Sequence, residues 1–523
     1  MRAVKKQPPP IPAFALSRGL RVYLYVTAAM TGAAIMIVEI LGAKMLSPYL
    51  GLSHFVWTAQ IAVTLVALAC GYYAGGRLAD RSQQLGRLYW AILGAAVYLA
   101  VTVFICEPVA YWCLDFNLAF GALLASGILF FVPLALLAMT GPFLAPVITS
   151  SISSLGGNVG RLISIGTLGS LAGTILIGYL LIPLSPNSIT MYGTSLALMV
   201  VSIGYLTIYR RKAAPALLLL LGLGAGDGFK DHLGLKGHYK NVVEEFRGNS
   251  HFGGLQVVAV PDGSRRYLLN DNLFQGAYDP GRKQSTAAFT FLLAGLARAY
   301  TMGIHDVLCI GLGIGTVPSD FASHGARVDV VEINPAVVKV AARFFDFQPG
   351  QVHLSIDDGR HFLNRCRRKY DVVVLDAFLG DSSPSHLMTR EAFDSIAHVL
   401  RPGGTLVINV FASLEADRDF LAASIGRTLK QVFAGVRLHS NWADGSVLFV
   451  ATDHADPEFV HPPDLAGVHP DALAYTEAAM TRRVEVPPEH GRVLIDDYNP
   501  VEFYDARNRE KLRKELARMA KDM

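Results

Sequence analysis

Charged side chains are scarce in this sequence. Asp, Glu, Lys and Arg make up 17% of its 523 residues, whereas a soluble protein averages about 25%. The shortage is local, because only nine charged side chains lie between Val22 and Tyr209, and the charge density after Lys230 is ordinary. The composition therefore predicts a membrane-embedded part followed by a part that folds in water.

Metal, nucleic-acid and secretion signals are also absent. The five cysteines form no C-x-x-C motif and no metal-like spacing with histidine, so we expect no metal site. The net charge is +4 with no basic stripe among aromatics, so we expect no nucleic-acid partner. The first apolar run is too long for a cleavable signal peptide. For Cys106 and Cys113 two interpretations stay open, a disulfide in a periplasmic loop or two free thiols.

Long apolar runs fill the first part of the chain. Crossing a bilayer takes about 20 apolar residues, and backbone in lipid must pair internally, which favours helices. We interpret residues 1–21 as a cytoplasmic segment and residues 22–212 as a transmembrane helical bundle. Six segments are long enough: 22–45, 56–76, 88–106, 119–147, 162–183 and 188–209. The run from Ala214 to Ala225 is short for a span, so six or seven crossings stay open.

The sequence pattern changes after Lys230. Residues 255–260 and 266–270 predict a β-hairpin within a small β-region, 241–283. From 284 to 505, short apolar strands alternate with helices, which is typical of a parallel sheet covered on both faces in a Rossmann-like α/β domain. Residues 506–523 are highly charged and predict a solvated helix.

Three strand ends of this α/β domain carry polar or glycine motifs. The first strand is followed directly by Gly311, Gly313 and Gly315. Glycines there let a ligand approach the backbone, and Glu332 at the next strand end can accept both hydroxyls of a ribose. Asp357 and Asp358 end the third strand, where a carboxylate can accept from an adenine amino group. The pattern predicts a nucleoside site, the alternative being a doubly wound fold without this ligand.

These motifs resemble those of the spermidine synthases, which are polyamine aminopropyltransferases with a methyltransferase-like fold. The resemblance rests on residues 311–315, 331–334, 357–359 and 370–376, and on residues 268–270 with Gln275 in the β-region. The apolar half resembles that of bacterial membrane proteins with a spermidine-synthase-like domain behind several helices. That likeness is carried by residues 39–44, 48–51, 75–81, 376–378, 387–393 and 496–500.

The resemblance implies roles for individual residues. Glu332 would hold the ribose, Asp358 the adenine, and Asp376 would act as the base. Contacts to the co-substrate would come from Gly311, Gly313, Gly315, Asp357 and Gln275. The amine side would include Asp381, Asp496 and Asp497. The implied co-substrate is decarboxylated S-adenosylmethionine or S-adenosylmethionine, with no tightly bound cofactor, an amine such as putrescine as acceptor, and a homodimer as an assembly.

The sequence departs from the family pattern on the amine side. Spermidine synthases carry an aspartate in the glycine loop, and here that position is Ile314. A second aspartate follows the base by three residues, and here Leu379 takes its place with Asp381 two residues on. An early glutamine is matched by Gly253. The nucleoside half of the site is therefore expected to be kept and the diamine half changed.

Two further side chains have two interpretations each. Glu39 lies within the first apolar span, where an acid costs ~3 kcal/mol or more. It either contacts a cation or polyamine inside the bundle, or forms a structural pair with Lys44 or a neighbouring helix. His386 either lines the site or is a surface histidine, and the surface position is the one expected.

The first hypothesis for function is a membrane-anchored aminopropyltransferase that uses an amine acceptor. The alternatives are a methyltransferase on the same scaffold, and a transporter or sensor that binds a nucleoside or polyamine without turnover. We expect a multi-pass protein of the bacterial inner membrane, with the lipid bilayer as a partner and the α/β domain in the cytoplasm.

Overall fold

The computed structural model describes residues 16–51, 54–149, 155–211, 241–271, 273–378, 384–415, 418–440, 445–482, 484, 491–501, 508 and 511. The chain divides into two compact units, a helical unit and an α/β unit. Several predictions lie outside the described residues, namely those for 1–15, for Ala214 to Ala225, for Leu379 and Asp381, and for most of 506–523.

The helical unit contains six helices that are long and apolar enough to cross a membrane. This confirms the predicted helical bundle. The helices are α1 (Arg18–Leu50), α2 (His54–Arg81), α3 (Leu85–Cys113), α4 (Leu118–Ile148), α5 (Leu155–Leu184) and α6 (Asn187–Ile208). Gly169 and Gly173 of α5 lie against the backbone of Ala29 and Ala33 of α1, where any Cβ would collide. Small residues thus allow this close helix approach.

Cys106 and Cys113 are both free and buried, so the disulfide interpretation is wrong. Both residues belong to α3. Seven residues along a helix separate their Cα atoms by roughly 10 Å, which exceeds the reach of about 7 Å for a disulfide.

The β-region is larger than the predicted hairpin. Strands β2 and β3 pair antiparallel, with Val258 opposite Tyr267, as the hairpin pattern indicates. They form the middle of a five-stranded antiparallel sheet in the order β1-β2-β3-β4-β5. Its strands are β1 (Val243–Ser250), β2 (Gly253–Ala259), β3 (Arg266–Asn270), β4 (Leu273–Asp279) and β5 (Gln284–Ser285). The outer strands were missed because β1 is largely polar and β4 carries a glycine.

The second sheet has seven strands in the order β11-β12-β10-β9-β6-β7-β8. Strands β6 to β10 run parallel, and β12 is antiparallel to both β10 and β11. The strands are β6 (Asp306–Ile310), β7 (Arg327–Glu332), β8 (His353–Ile356), β9 (Tyr370–Leu375), β10 (Leu400–Phe411), β11 (Gly435–His439) and β12 (Ser446–Thr452). The predicted Rossmann-like α/β fold is confirmed.

Helices cover this sheet because its strands are apolar on both faces, as in β6, where every residue is buried. The helices are α7 (Ala288–Tyr300), α8 (Thr316–Ser323), α9 (Pro335–Phe344), α10 (Gly359–Arg365), α11 (Arg390–Val399), α12 (Phe420–Leu429) and α13 (Pro470–Thr481). Two hydrophobic clusters, one on each face, form the core of the unit.

Arginines pair with the acids at the amino ends of the central strands. Asp306 begins β6 and accepts from Arg401 at 2.7 Å and from Arg327 at 2.9 Å. Arg401 also donates to Asp371 at 2.8 Å. These buried and half-buried carboxylates are neutralised, so this edge of the sheet has a structural role.

Gly311 has a backbone geometry that only glycine tolerates. Its φ is +100°, and a Cβ would collide with the carbonyl oxygen of Asp376. We expect Gly311→Ala to lower the free energy of unfolding by at least ~2 kcal/mol, because strain and collision add. Thermal unfolding of the purified chain in detergent measures this.

Gly313 provides the matched control. Its φ is +56°, but a Cβ there meets nothing within 4 Å. Gly313→Ala should cost only about 1 kcal/mol. Equal melting temperatures for the two variants would contradict the packing described for Gly311.

Candidate active site

A cleft opens at the carboxyl ends of β6, β7, β8 and β9. The structure brings seven site residues from the sequence analysis to its lining. They are Gln275, Gly311, Gly313, Glu332, Asp357, Asp358 and Asp376. Gly315 is not among the lining residues and instead lies against the ring of Phe347 at the start of α8. Parallel strands end at the same edge of a sheet, which is why these residues converge.

The glycine loop holds the carboxylate of Glu332. The amide of Leu312 donates to Glu332 Oε2 at 3.1 Å, and the amide of Asn334 donates to Oε1 at 2.8 Å. Glu332 is 8% exposed. Burial raises the pKa of this carboxyl above its ordinary value, while the amides of Asn334 and Leu312 oppose the rise. The carboxylate is fixed in orientation but carries no arginine or lysine partner among the described residues.

Asp357 and Asp358 each contact a histidine. Asp357 lies 2.8 Å from His361 Nδ1, and Asp358 lies 2.9 Å from His386 Nε2. Asp358 also caps α10 by accepting from the amides of Arg360 and His361. Partial burial acts to raise the pKa of Asp358, but the amide of His361 and the side chain of His386 outweigh it, so the pKa is lowered. The His386 side chain lines the cleft and is also 47% exposed, so it is both a surface histidine and part of the site.

Asp376 lies just beyond β9 beside Asn409 of β10. The Asn409 Nδ2 group donates to Asp376 Oδ1 at 2.9 Å, and Asn409 Oδ1 accepts from Ser446 Oγ at 2.9 Å. Ser446 therefore fixes which way the Asn409 amide faces. Burial raises the pKa of Asp376 to about 6, although the hydrogen bond from Asn409 opposes the rise. A carboxyl group with this pKa can accept a proton near neutral pH.

Three other predicted residues are not among those that line the cleft. Asp496 accepts from Thr389 Oγ1 at 2.6 Å and from Arg360 at 3.1 Å, a structural arrangement at the start of α11. Asp497 is exposed in the next turn position. Glu39 belongs to α1 of the helical unit and is half-buried there.

Two of the three departures from the family pattern, Ile314 and Gly253, have structural causes. Ile314 is 4% exposed and belongs to the hydrophobic core, so it does not line the cleft. Its side chain fills the space beside Gly276, where a Cβ would come within 2.8 Å. A side chain at Gly253 would collide with Asn270 and Asp271. The loop thus presents backbone, not a carboxylate, to the cleft.

Sequence reasoning missed Asn409 and the aromatic lining of the cleft. Asn409 is a lone polar residue inside the apolar run of β10, and that was its only available signal. The aromatic residues carry no sequence signal, because they come from strands, a helix and connecting segments that are far apart in the chain. They are Phe252, Phe274, Phe289, Phe378 and Phe411. Among the described residues, no group of three or more His, Cys, Asp or Glu side chains could hold a metal ion.

Comparison with known proteins shows what this unit is similar to. Residues 288–440 match the family described as "Spermine/spermidine synthase domain". The α/β unit therefore contains a region similar to spermine/spermidine synthase domains, and for that likeness we call it the synthase domain. A polyamine aminopropyltransferase of Vibrio vulnificus (strain CMCP6) is 41% identical over 113 residues, which cover 20% of this chain and 38% of that protein.

The synthase domain is also similar to methyltransferases. An N-terminal histidine N-methyltransferase of Emericella nidulans is 35% identical over 138 residues, which cover 25% of this chain and 24% of that protein. A solved structure, a probable spermidine synthase from Corynebacterium glutamicum ATCC 13032, has a TM-score of 0.36 and 19% identity, covering 46% of this chain and 87% of that one. The chain spans well under two thirds of the length of these curated relatives. The family is one of transferases.

Glu332 should decide the affinity of the synthase domain for a nucleoside. We expect Glu332→Ala to weaken binding of methylthioadenosine by ~10-fold to 100-fold, because two ribose hydroxyls lose a charged acceptor. Calorimetry on the purified chain in detergent measures the dissociation constants. Exposed Glu477 on α13 supplies the control, and Glu477→Ala should bind as wild type does. Unchanged affinity in Glu332→Ala would refute the ribose assignment.

Proposed function

We propose that the synthase domain transfers an aminopropyl group from decarboxylated S-adenosylmethionine to an amine. The observation that carries the proposal is that Glu332 and Asp376 line the same cleft. The first carboxylate is oriented by backbone amides, and the second has a pKa of about 6. One suits a ribose diol and the other suits a proton acceptor. The aminopropyltransferase relatives support the same reaction.

The co-substrate would lie along the strand ends. The backbone of Gly311 and Gly313 would face its sulfur-bearing part, and Glu332 would accept from the ribose hydroxyls. Asp358 keeps Oδ2 on the cleft side, where His386 now contacts it. An adenine amino group would either displace His386 from Asp358 or donate to Asp358 alongside it. Gln275 would approach the aminopropyl chain from the β-region.

The chemistry asks little of the protein beyond positioning and one proton acceptor. The acceptor nitrogen attacks the carbon beside the sulfonium, the C–S bond breaks, and its electron pair stays on sulfur as a neutral thioether. The nitrogen then holds an extra proton, which passes to Asp376. Asn409 donates to Oδ1 of this carboxylate at 2.9 Å, and Oδ2 would be the oxygen that takes the proton. Placing two reactants in line supplies most of the rate increase.

Methyl transfer is a second candidate. The observation in its favour is the buried Ile314, because a loop without a carboxylate does not select the amine of an aminopropyl chain. One of the relatives is an N-terminal histidine N-methyltransferase, and this likeness also supports methyl transfer. The donor would then be S-adenosylmethionine, bound by the same strand ends.

The helical unit would anchor the domain in the bacterial inner membrane, with the domain in the cytoplasm and a homodimer as the assembly. Segments expected on the inside carry almost all the positive charge near the helices, and this asymmetry sets orientation. These positive residues are Lys5, Lys6, Arg18, Arg21, Arg77, Arg81, Arg87, Arg161, Arg210, Arg211 and Lys212. The segments expected outside, near 46–55, 107–118 and 184–187, carry no Lys or Arg.

Asp376 should be required for turnover more than for binding. Asp376→Asn keeps the size of the side chain and removes the proton acceptor. We expect formation of methylthioadenosine from decarboxylated S-adenosylmethionine and an amine to fall by ~10²-fold or more, with the dissociation constant of the donor little changed. Asp394→Asn, an exposed change on α11, is the matched control. Full activity in Asp376→Asn would transfer the base role to Asp381 or leave the domain a binder.

The number of membrane crossings decides the side of the domain. Six crossings return the chain to the cytoplasm. A fluorescent protein that folds only in the cytoplasm should therefore fluoresce when it is fused after Met523, and alkaline phosphatase fused at the same position should be inactive. The opposite result would mean that Ala214 to Ala225 also crosses. It would place the domain away from its donor and contradict the enzyme proposal too.

A further inference from the structure

We propose that the acceptor is a monoamine whose non-reacting part is uncharged and apolar, and that a diamine with a second ammonium group is disfavoured. The inference rests on the proposed transfer to an amine and concerns only the class of acceptor. It follows from what surrounds Asp376 in the cleft.

Two phenylalanines of the cleft, Phe378 and Phe411, follow Asp376 and Asn409 closely in sequence. Phe378 follows Asp376 by two residues, and Phe411 follows Asn409 by two. Asn409 and Phe411 are at i and i+2 of strand β10, so their side chains share one face of the sheet. Phe378 lies beyond the end of β9 and lines the same cleft as Asp376. The ring centroids of the two phenylalanines are 4.9 Å apart with an interplanar angle of 49°. The group attached to the reacting nitrogen would therefore pass along two phenyl rings.

Much of the remaining lining of the cleft is also apolar. It includes Phe274 of β4, Leu268 of β3, Phe289 of α7 and Phe252 before β2. Methylene groups leave water favourably against such walls, at ~0.8 kcal/mol for each buried methylene, which corresponds to about a fourfold gain in affinity. A charged ammonium group loses its hydration there without compensation.

The carboxylates of the cleft are engaged elsewhere. Glu332 is held by two amides, Asp357 by His361, and Asp358 by amides and His386. Asp376 is reserved for the reacting nitrogen. Among the described lining residues, no other acid remains for a second ammonium group.

Asn270 adds a neutral acceptor to the same cleft. Its side chain is 8% exposed, and its Oδ1 atom has no hydrogen-bond partner in the described part of the chain. A buried carbonyl without a donor is costly unless a ligand supplies one. An N–H of the neutral acceptor amine would satisfy it without requiring a second charge.

Two acceptors of equal size give the sharpest test. n-Pentylamine and 1,4-diaminobutane have six heavy atoms each and differ only in a methyl group against an ammonium group. With the full chain in detergent and decarboxylated S-adenosylmethionine, we expect kcat/KM for n-pentylamine to exceed that for 1,4-diaminobutane by at least ~10-fold, because a second charge loses its hydration. Higher kcat/KM for 1,4-diaminobutane would overturn the inference.

Variants at Phe411 provide a second test. They are judged by how they change the ratio of kcat/KM for n-pentylamine to kcat/KM for 1,4-diaminobutane, whatever that ratio is in the wild type. Phe411→Asp places a carboxylate beside the amine chain and should shift the ratio toward 1,4-diaminobutane by ~10-fold or more. Phe411→Leu keeps the wall apolar and should keep the preference for n-pentylamine. An unchanged ratio in Phe411→Asp would overturn the assignment of this wall to the acceptor. If kcat/KM in the wild type is higher for 1,4-diaminobutane and Asp381→Asn removes that preference, Asp381 holds the second ammonium group and the inference fails.

Binding without turnover separates this inference from the proposed function. The chain is saturated with methylthioadenosine, and the rise in melting temperature caused by each amine is measured. If no thioether forms with any amine although the donor binds, the proposed function fails, and the acceptor class is still judged from the binding. Greater stabilisation by n-pentylamine supports the inference, and equal or greater stabilisation by 1,4-diaminobutane overturns it.

Discussion

The hydrogen bond between Asp376 and Asn409 links the base to the frame of the sheet. Strands β9 and β10 run parallel with Leu375 opposite Ile408, so the residues that follow each, Asp376 and Asn409, come to lie side by side. The amide of Asp376 donates to Ile310 of β6 at 2.9 Å, while its carbonyl closes over Gly311. Asp376 thus connects the glycine loop, strands β6 and β10, and the aromatic pair of Phe378 and Phe411. A shift of β10 would move the base and the acceptor wall at once.

The two edges of the sheet treat their acids differently. At the amino edge, Asp306 and Asp371 are neutralised by arginines, and partial burial of Asp371 is outweighed so that its pKa is lowered. At the carboxyl edge, Glu332 and Asp376 meet neutral donors, and burial raises their pKa values. Glu332 and Asp376 have no arginine or lysine partner among the described residues, and their negative charge suits the one cation of the proposed reaction, the sulfonium of the donor. The contrast therefore favours function at one edge only.

The sequence was most informative where structure is local. A glycine loop after an apolar strand, and acids at successive strand ends, predict a nucleoside cleft because parallel strands converge at one edge. Asn409, Phe411 and β12 could not be predicted, because their roles depend on which strands pair across long stretches of chain. The contact of the exposed His386 with Asp358 could not be predicted either, because the fold brings together two residues that are 28 positions apart in sequence. The burial of Ile314 likewise depends on Gly276 from the other sheet.

The protonation of Asp376 during turnover tests the central claim most directly. The kcat for methylthioadenosine formation, with decarboxylated S-adenosylmethionine and amine both saturating, is measured from pH 4.5 to 8.5. Because the pKa of Asp376 is raised to about 6, the carboxylate form prevails above that value. The account predicts that kcat rises with pH, is half-maximal near pH 6, and falls about tenfold per pH unit below it. A kcat that does not change across this range, or no methylthioadenosine at any pH, would contradict the account.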